Sequence, residues 1–198
     1  KFLGITEYIS KKSKSKNTAM LIYNKNLSVC PVTTHLPIKL VNKNITKKII
    51  KEKIDIIDAF FKKNLNYKPR IAVTGMNPHC ESILRFNEDD KIVAKAVSEQ
   101  KKRGIYVYGP YSADTIFLKS NRDQFDVILG MYHDQVLGPI KTLYEFDAIN
   151  ITMGLPFLRV TPDHGPNEKM QNKNASNPVS LINALNFLDK HWLKQKKV

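Results

Sequence analysis

The stretch DVILGMYH, residues 126–133, is a short β-branched and apolar run that leads directly to a histidine. Two other stretches have the same layout, LSVCPVTTH at 27–35 and IAVTGMNPH at 71–79. Runs of this length and composition are typical of buried strands. Because ligands of open α/β sheets collect beyond the carboxyl ends of the strands, we expect His35, His79 and His133 to meet at one edge. Three imidazoles there predict a divalent-metal site, although each one singly could be a hydrogen-bonded loop residue.

Segments with strand and helix patterns alternate along the chain. The clearest helix follows Thr46, where apolar residues from Ile49 to Phe61 repeat at helical spacing and form one face. Strands are predicted at 18–23, 27–34, 71–75, 105–108, 126–130 and 147–153, and helices at 46–63, 88–103, 134–144 and 177–194, with a short helix opening at Ser112 or Ala113 and an irregular segment from Pro156. The first two strands form a hairpin, and the alternation as a whole predicts an α/β fold.

Composition excludes several classes of protein. The chain has 198 residues, of which 42% are hydrophobic and 25% charged, which is ordinary for a globular domain with a core. It has no apolar run long enough to span a membrane, and since KFLGITEYISKK at its start has no sustained apolar core, we expect no signal peptide. Cys30 and Cys80 form no paired motif, so a reducing cytoplasm is expected rather than a disulfide framework. The chain begins at Lys1, within what resembles ordered sequence, so we expect a fragment of a longer protein.

The net charge of +14 suggests either a nucleic-acid binder or a lysine-rich solvent face. The lysines are not interleaved with aromatic residues in a stacking pattern, so we expect no nucleic-acid partner. A basic field also attracts phosphorylated substrates and dinucleotides. The sequence has neither a G-x-G-x-x-G fingerprint nor a P-loop, so a nicotinamide cofactor would need a different scaffold.

Six ordered motifs together resemble the 4-hydroxythreonine-4-phosphate dehydrogenase family of vitamin B6 biosynthesis. They are TTHLP (33–37), TGMNPH (74–79), GPYSADTIF (109–117), MYHDQVLGPIK (131–141), INITMGLPFLR (149–159) and DHG (163–165). The resemblance implies NAD- or NADP-dependent oxidation and decarboxylation of 4-phosphooxy-L-threonine, with one divalent metal (Zn, Mg or Co). It also implies a homodimer with its active site at the subunit interface.

The resemblance further implies an isocitrate- or isopropylmalate-dehydrogenase-like fold, of which this chain is the later part. Residues 1–155 would form the metal-binding and dimer-forming α/β domain. Residues 156–198 would return toward a largely missing cofactor domain. Leu181, Ile182, Leu185 and Leu188 of the last helix would then form an apolar face without its packing partner.

Individual site residues follow from matching positions in the family motifs. His35, His79 and His133 match the metal ligands, with the third histidine supplied by the partner subunit. Thr6, Lys141, Asn150 and Arg159 match substrate-binding residues, and Asp114 and Asp134 match acidic residues near the metal and the reacting groups. A fainter resemblance to the cofactor loop of isocitrate dehydrogenases makes His164 and Asn177 candidates for binding NAD(P).

Plainer roles stay open for these residues. Lys141 could be a solvated surface lysine, Asn150 a structural amide, and Arg159 part of a structural ion pair. The two aspartates could cap helices, and Asp134 could orient its neighbour His133.

Two positions depart from the family pattern. Ile5 stands where the family usually has histidine in G-H-T-E, and Cys80-Glu81-Ser82 stands where Ala-Gly-Glu usually follows the second histidine. These departures leave open a sister enzyme for a related phosphorylated hydroxy acid, such as a phosphorylated threonate, or a catalytically degenerate metal-binding relative.

Overall fold

The computed structural model describes residues 4–164, 171–173 and 176–195. The strands are β1 (Ala19–Tyr23), β2 (Ser28–Thr33), β3 (Ile71–Thr74), β4 (Val107–Tyr111), β5 (Val127–Tyr132), β6 (Ile149–Met153) and β7 (Arg159–Pro162). The α-helices are α1 (Ile5–Lys12), α2 (Ile38–Asn44), α3 (Lys47–Phe60), α4 (Ala94–Lys102), α5 (Lys119–Arg122), α6 (His133–Tyr144) and α7 (Val179–Gln195). π-helical turns extend α3 over Phe61–Leu65 and precede α4 over Asp89–Val93.

All seven strands belong to one mixed sheet with the order β4-β3-β5-β2-β1-β6-β7. The four strands from β4 to β2 are parallel. From β2 onward every neighbouring pair is antiparallel, and β1 and β2 form the expected hairpin. The sheet therefore has a parallel half and an antiparallel half, and the α/β class is confirmed.

Helices cover both faces of this sheet. On one face, α3 buries Ile50, Ile54 and Ile57 completely within the larger apolar cluster. Thr46 caps α3 by accepting a hydrogen bond of 3.3 Å from the backbone N–H of Ile49, as the sequence predicts. On the other face, α6 buries Val136, Leu137 and Ile140 in the second cluster.

Four elements differ from the expectation drawn from sequence. The short helix expected to open at Ser112 or Ala113 begins later, as α5 at Lys119, and residues 113–117 form turns instead. The strand β7 lies in a segment expected to be irregular, because a four-residue edge strand that ends in proline has little periodicity to reveal it. The helices α1 and α2 were not predicted. The first has no buried residue and the second has only Val41, so neither carries the apolar repeat by which helices are recognised.

The last helix buries one side and exposes another. Ala184 and Phe187 belong to the core, whereas Leu181, Ile182 and Leu185 are 48%, 49% and 57% exposed. These three residues are thus exposed as expected, whereas Leu188 is partly buried. That a missing domain would cover this face stays a prediction. Since β7 pairs with β6 and α7 packs on both strands, residues beyond 155 continue this sheet, and the division into domains there stays a prediction. No helix in the described part of the chain is long and apolar enough to cross a membrane.

Candidate active site

Two of the three predicted histidines lie side by side at the carboxyl edge of the parallel half. The neighbouring strands β2 and β5 end together, with Thr33 opposite Tyr132 and the Thr33 hydroxyl donating to the Met131 carbonyl at 2.8 Å. His133 opens α6 directly after β5, and its ring centroid lies 6.1 Å from that of His35. The strand-end argument therefore places these two imidazoles correctly.

Each of the two rings has a carboxylate at its Nδ1 atom. Glu7 Oε1 lies 3.2 Å from His35 Nδ1, and Asp134 Oδ1 lies 2.6 Å from His133 Nδ1. Histidines that ligate metals commonly donate one ring N–H to a carboxylate, which leaves the other nitrogen for the metal. We call His35, His133, Glu7 and Asp134 the histidine edge.

Glu7 is a site residue that the sequence did not single out. Burial raises its pKa, but its own backbone N–H, His35 and Thr34 together hold the pKa below its ordinary value. Its Oε2 atom is buried and has no hydrogen-bond partner among the described residues. Glu7 follows Thr6 in the GITE motif at the start of α1, so a signal was present, but its contact with His35 crosses 28 residues.

His79 occupies a neighbouring cleft. It follows β3 in a short 3₁₀ turn, is exposed, and has a left-handed backbone φ of 55°. The strand β5 lies between β2 and β3, so the imidazole beside His35 within one chain is that of His133, the histidine that the family resemblance assigns to the partner subunit. No three His, Cys, Asp or Glu side chains among the described residues of one chain are arranged to hold a metal ion.

The cleft at His79 has a volume of about 290 Å³ and is also lined by Asp114, Ser112, Tyr132 and Gln135. Asp114 is exposed here, and the Ser112 hydroxyl is buried with no hydrogen-bond partner in the part of the chain that the structure describes. Ser112 is a second residue that the sequence did not single out, although it lies two positions before Asp114. A buried hydroxyl without a partner is a candidate for contact with a ligand.

Three of the four predicted substrate-binding residues, Lys141, Asn150 and Arg159, are associated with one face of the sheet. Asn150 pairs with Thr161, and Thr152 pairs with Arg159, so these four side chains lie on the same side of β6 and β7. Asn150 also pairs with Ile22, which packs in the cluster covered by α6, the helix that carries Lys141. We call Lys141, Asn150 and Arg159 the anion face.

The two cations of the anion face already contact groups of their own chain. The Lys141 ammonium lies 2.6 Å from Asp163 Oδ2 and also donates to the Asp163 carbonyl. Arg159 Nη1 donates to Thr152 Oγ1 at 2.6 Å, and burial lowers the pKa of Arg159. The Asn150 Oδ1 atom, by contrast, is buried without a hydrogen-bond partner in residues 4–164, 171–173 and 176–195. Asn150 therefore offers an unused polar group on the face of the sheet that also carries Arg159.

The candidate cofactor residues lie near the start of α7. The Asn177 side chain accepts a hydrogen bond of 3.0 Å from the backbone N–H of Val179, which is a helix-capping contact. His164 is exposed and follows Asp163 directly. Residues 165–170 and 174–175 of the loop between them lie outside the described residues, so its resemblance to a cofactor loop stays a prediction.

Comparison with known proteins agrees with the motifs. The chain is 40% identical over 186 residues to 4-hydroxythreonine-4-phosphate dehydrogenase of Sulfurihydrogenibium, covering 93% of the chain and 57% of that protein. It is 40% identical over 163 residues to D-threonate 4-phosphate dehydrogenase of Pectobacterium atrosepticum, covering 82% of the chain and 50% of that protein. The chain thus spans about half the length of these relatives.

Solved structures and a family model give the same result. The crystal structure of 4-hydroxythreonine-4-phosphate dehydrogenase from Klebsiella pneumoniae superposes with a TM-score of 0.80 at 33% identity, covering 94% of this chain and 58% of that one. The model of the family described as pyridoxal phosphate biosynthetic protein PdxA matches residues 1–188. A match over nearly the whole chain means that the chain belongs to the PdxA family.

Proposed function

We propose that the protein oxidises 4-phosphooxy-L-threonine with NAD or NADP and then releases CO₂ from the product. The observation that carries this proposal is the pair of carboxylate-anchored imidazoles at the parallel edge of a PdxA-family chain. The name of the relative from Sulfurihydrogenibium, which is 40% identical, supports the same reaction.

The residues of the histidine edge fit a divalent metal. Both imidazoles have Nδ1 on a carboxylate, so each Nε2 is the nitrogen left to bind Zn, Mg or Co. Such a metal, when bound, lowers the pKa of a coordinated alcohol and stabilises negative charge on oxygen. We propose His79 as a third ligand. Within the described part of one chain, no three His, Cys, Asp or Glu side chains are arranged to hold a metal ion. We therefore propose that a second subunit supplies the remaining ligand.

The anion face is proposed to bind the substrate phosphate. Arg159 and Lys141 neutralise it, and the Asn150 amide, which has a buried unpaired oxygen, gains a partner. When the phosphate binds, Lys141 would leave Asp163 and contact the phosphate instead, so the Lys141 side chain must move. Holding the phosphate fixes the position of the alcohol for hydride transfer. Thr6, beside Glu7, and the exposed Asp114 and Asp134 are proposed to contact the reacting part of the substrate.

The wider architecture is part of the same proposal. We propose an isocitrate-dehydrogenase-like fold in which this chain supplies the metal-binding part, consistent with its coverage of 57% of the relative. His164 and Asn177 are proposed to contact the adenine end of NAD(P), for which Asn177 would act in addition to capping α7.

The test uses the complete gene product, stripped of metal with a chelator. We expect NAD(P)H formation from 4-phosphooxy-L-threonine only after a divalent metal is added back, with release of one CO₂ per turnover. Zn, Co and Mg are each compared, and so are NAD and NADP. Full activity in the metal-free protein would overturn the metal assignment, and no turnover of any phosphorylated hydroxy acid would overturn the reaction.

Mixing inactive variants tests the interface. Two chains that carry His35→Ala and His79→Ala restore one intact site per heterodimer if those ligands come from different subunits. A mixture of His35→Ala chains with His133→Ala chains restores activity only if His35 and His133 of one site come from different subunits. If neither mixture restores activity, the site is not shared between subunits.

A second substrate is favoured by two observations. A relative equally similar in identity is named D-threonate 4-phosphate dehydrogenase, and Ile5 replaces the histidine usual in the family's G-H-T-E segment. Comparing kcat/KM for the two phosphorylated substrates decides between them. A larger value for D-threonate 4-phosphate would make that sister activity the main one.

A further inference from the structure

Glu7 is the most enclosed polar group at the histidine edge. Its Oε1 atom accepts two hydrogen bonds, one from the Thr34 hydroxyl at 3.0 Å and one from His35 Nδ1 at 3.2 Å. These two donors are consecutive residues just beyond β2. A single carboxylate oxygen therefore holds both the loop that carries the imidazole and the imidazole itself.

The other carboxylate of the histidine edge is placed differently. The side chain of Asp134 is 88% exposed, whereas that of Glu7 is 32% exposed. Water competes with and screens an exposed contact, so Asp134 constrains His133 less than Glu7 constrains His35. Asp134 also adjoins its histidine in sequence, whereas Glu7 reaches His35 from a separate helix.

The packing of Gly4 brings Glu7 and His35 together. A Cβ atom at this position would lie 2.7 Å from Glu7 Oε2 and 2.9 Å from His35 Nδ1, both closer than real Cβ contacts. Any other residue at position 4 would force the carboxylate or the ring to move. The first turn of α1 therefore fits against His35 only because the residue before it, Gly4, has no side chain.

We infer that Glu7 is a positioning residue that accepts a hydrogen bond from the Nδ1–H group of His35. This hydrogen bond fixes the orientation of the ring and so presents Nε2 to the metal. The inference rests on the proposed function, since that proposal supplies the metal. A carboxylate at this position also makes the imidazole a more basic ligand. Glu7 itself need not touch the metal or the substrate.

The test measures metal affinity rather than turnover alone. The complete gene product is stripped of metal and titrated with Zn²⁺ and Co²⁺ by calorimetry, and the visible absorption of bound Co²⁺ reports ligand geometry. Removing an outer partner of a ligating histidine typically weakens metal binding by about 10–100-fold. We expect a loss in this range for Glu7→Gln, a larger one for Glu7→Ala, and partial recovery for Glu7→Asp.

Two further variants separate positioning from general stability. Gly4→Ala keeps the carboxylate but displaces it, so it should also weaken Co²⁺ binding, and the double variant with Glu7→Gln should be no worse than the stronger single one. Glu99→Gln, an exposed glutamate that contacts Lys47 and Lys51, is the matched control and should leave the affinity unchanged. The melting temperature of each metal-free variant shows whether folding is affected.

The outcomes are distinct. Weaker metal binding by Glu7→Gln with an unchanged metal-free melting temperature supports the inference. Equal Co²⁺ affinity and an equal Co²⁺ spectrum in Glu7→Gln and the parent would overturn it, and so would equal losses of metal-free stability and affinity that Glu7→Asp fails to restore. If the parent itself binds no metal, the proposed function fails first.

Discussion

The histidine edge and the anion face, the two proposed binding regions, differ in whether their ligand-binding atoms already contact other groups of the chain. At the histidine edge, carboxylates hold the Nδ1 side of two imidazoles, so the opposite nitrogen is already set for a ligand. At the anion face, Lys141 contacts Asp163 and Arg159 contacts Thr152, so both cations are engaged with their own chain. The first region is preorganised, whereas the second must exchange partners.

The difference follows from the two halves of the sheet. In the parallel half, adjacent strands end at one edge, and the residues after them meet without further arrangement. In the antiparallel half, side chains of the anion face lie along strands and over the sheet, where cross-strand neighbours supply partners. Substitutions should therefore affect metal binding in the first region and substrate binding in the second.

The largest effect is expected at the histidine edge. His35→Ala removes a proposed ligand, so metal affinity should fall by more than the roughly 100-fold that loss of an outer partner causes. Bound metal is measured by elemental analysis after dialysis, beside kcat. The control is His164→Ala, which should keep its metal because His164 lies outside the histidine edge. Full metal content in His35→Ala would remove the histidine edge as the metal site.

Arg159→Ala should have the next largest effect, on the substrate rather than the metal. Truncating one partner of a desolvated charge pair costs about 2–5 kcal/mol, a factor of about 30 to several thousand in kcat/KM. We expect the loss mainly in KM for a phosphorylated substrate, with bound metal unchanged. Arg103→Ala, a surface arginine that pairs with Asp55, is the control. An unchanged KM would indicate a substrate without a phosphate.

Thr152→Val tests whether the intramolecular contact positions the arginine. The threonine is 2% exposed and its hydroxyl accepts from Arg159, so valine removes the acceptor with little change of shape. The net value of one hydrogen bond is about 1 kcal/mol, which predicts a KM about 5-fold higher and unchanged metal content. Thr161→Val on the same face is the control. If KM falls instead, Thr152 competes with the substrate for Arg159.

The sequence predicted the parts of this site that depend on local patterns. The apolar run before His133 gave both the strand β5 and the start of α6, whose end at Tyr144 was also predicted. The cap at Thr46 and the apolar repeat after it gave α3. These features depend on residues a few positions apart, which one sequence displays directly.

The features that the sequence did not predict depend on strand order and on contacts between residues far apart in the chain. The position of β5 between β2 and β3 makes His133 the neighbour of His35, and no local pattern specifies the order of strands in a sheet. Glu7 was missed for the same reason, since its helix has no buried residue and its partner lies 28 residues away. The engagement of Lys141 by Asp163 likewise depends on β7, a strand too short to recognise.

The smallest expected effect concerns Asp163, the group that Lys141 would release. Burial raises the pKa of this carboxyl, and the nearby Lys141 ammonium only partly offsets the rise. A carboxyl whose pKa is higher in the folded than in the unfolded state favours folding when it is protonated. This contribution is complete below the ordinary carboxyl pKa and is lost as the pH rises through the raised value. Asp163→Asn removes the titration, so the melting temperature of the parent relative to Asp163→Asn should increase as the pH falls through this range and stay constant above it. Melting temperatures of both proteins between pH 3.5 and 7 provide the measurement, and their difference cancels the titration of the other carboxylates.

Saturating inorganic phosphate is then added at pH 7. If phosphate draws Lys141 away, Asp163 loses its cation, and the difference between the two proteins should shift in favour of Asp163→Asn. If phosphate binds and the difference does not shift, Lys141 keeps its ion pair with Asp163. The anion face then binds phosphate without a change of partner for Lys141.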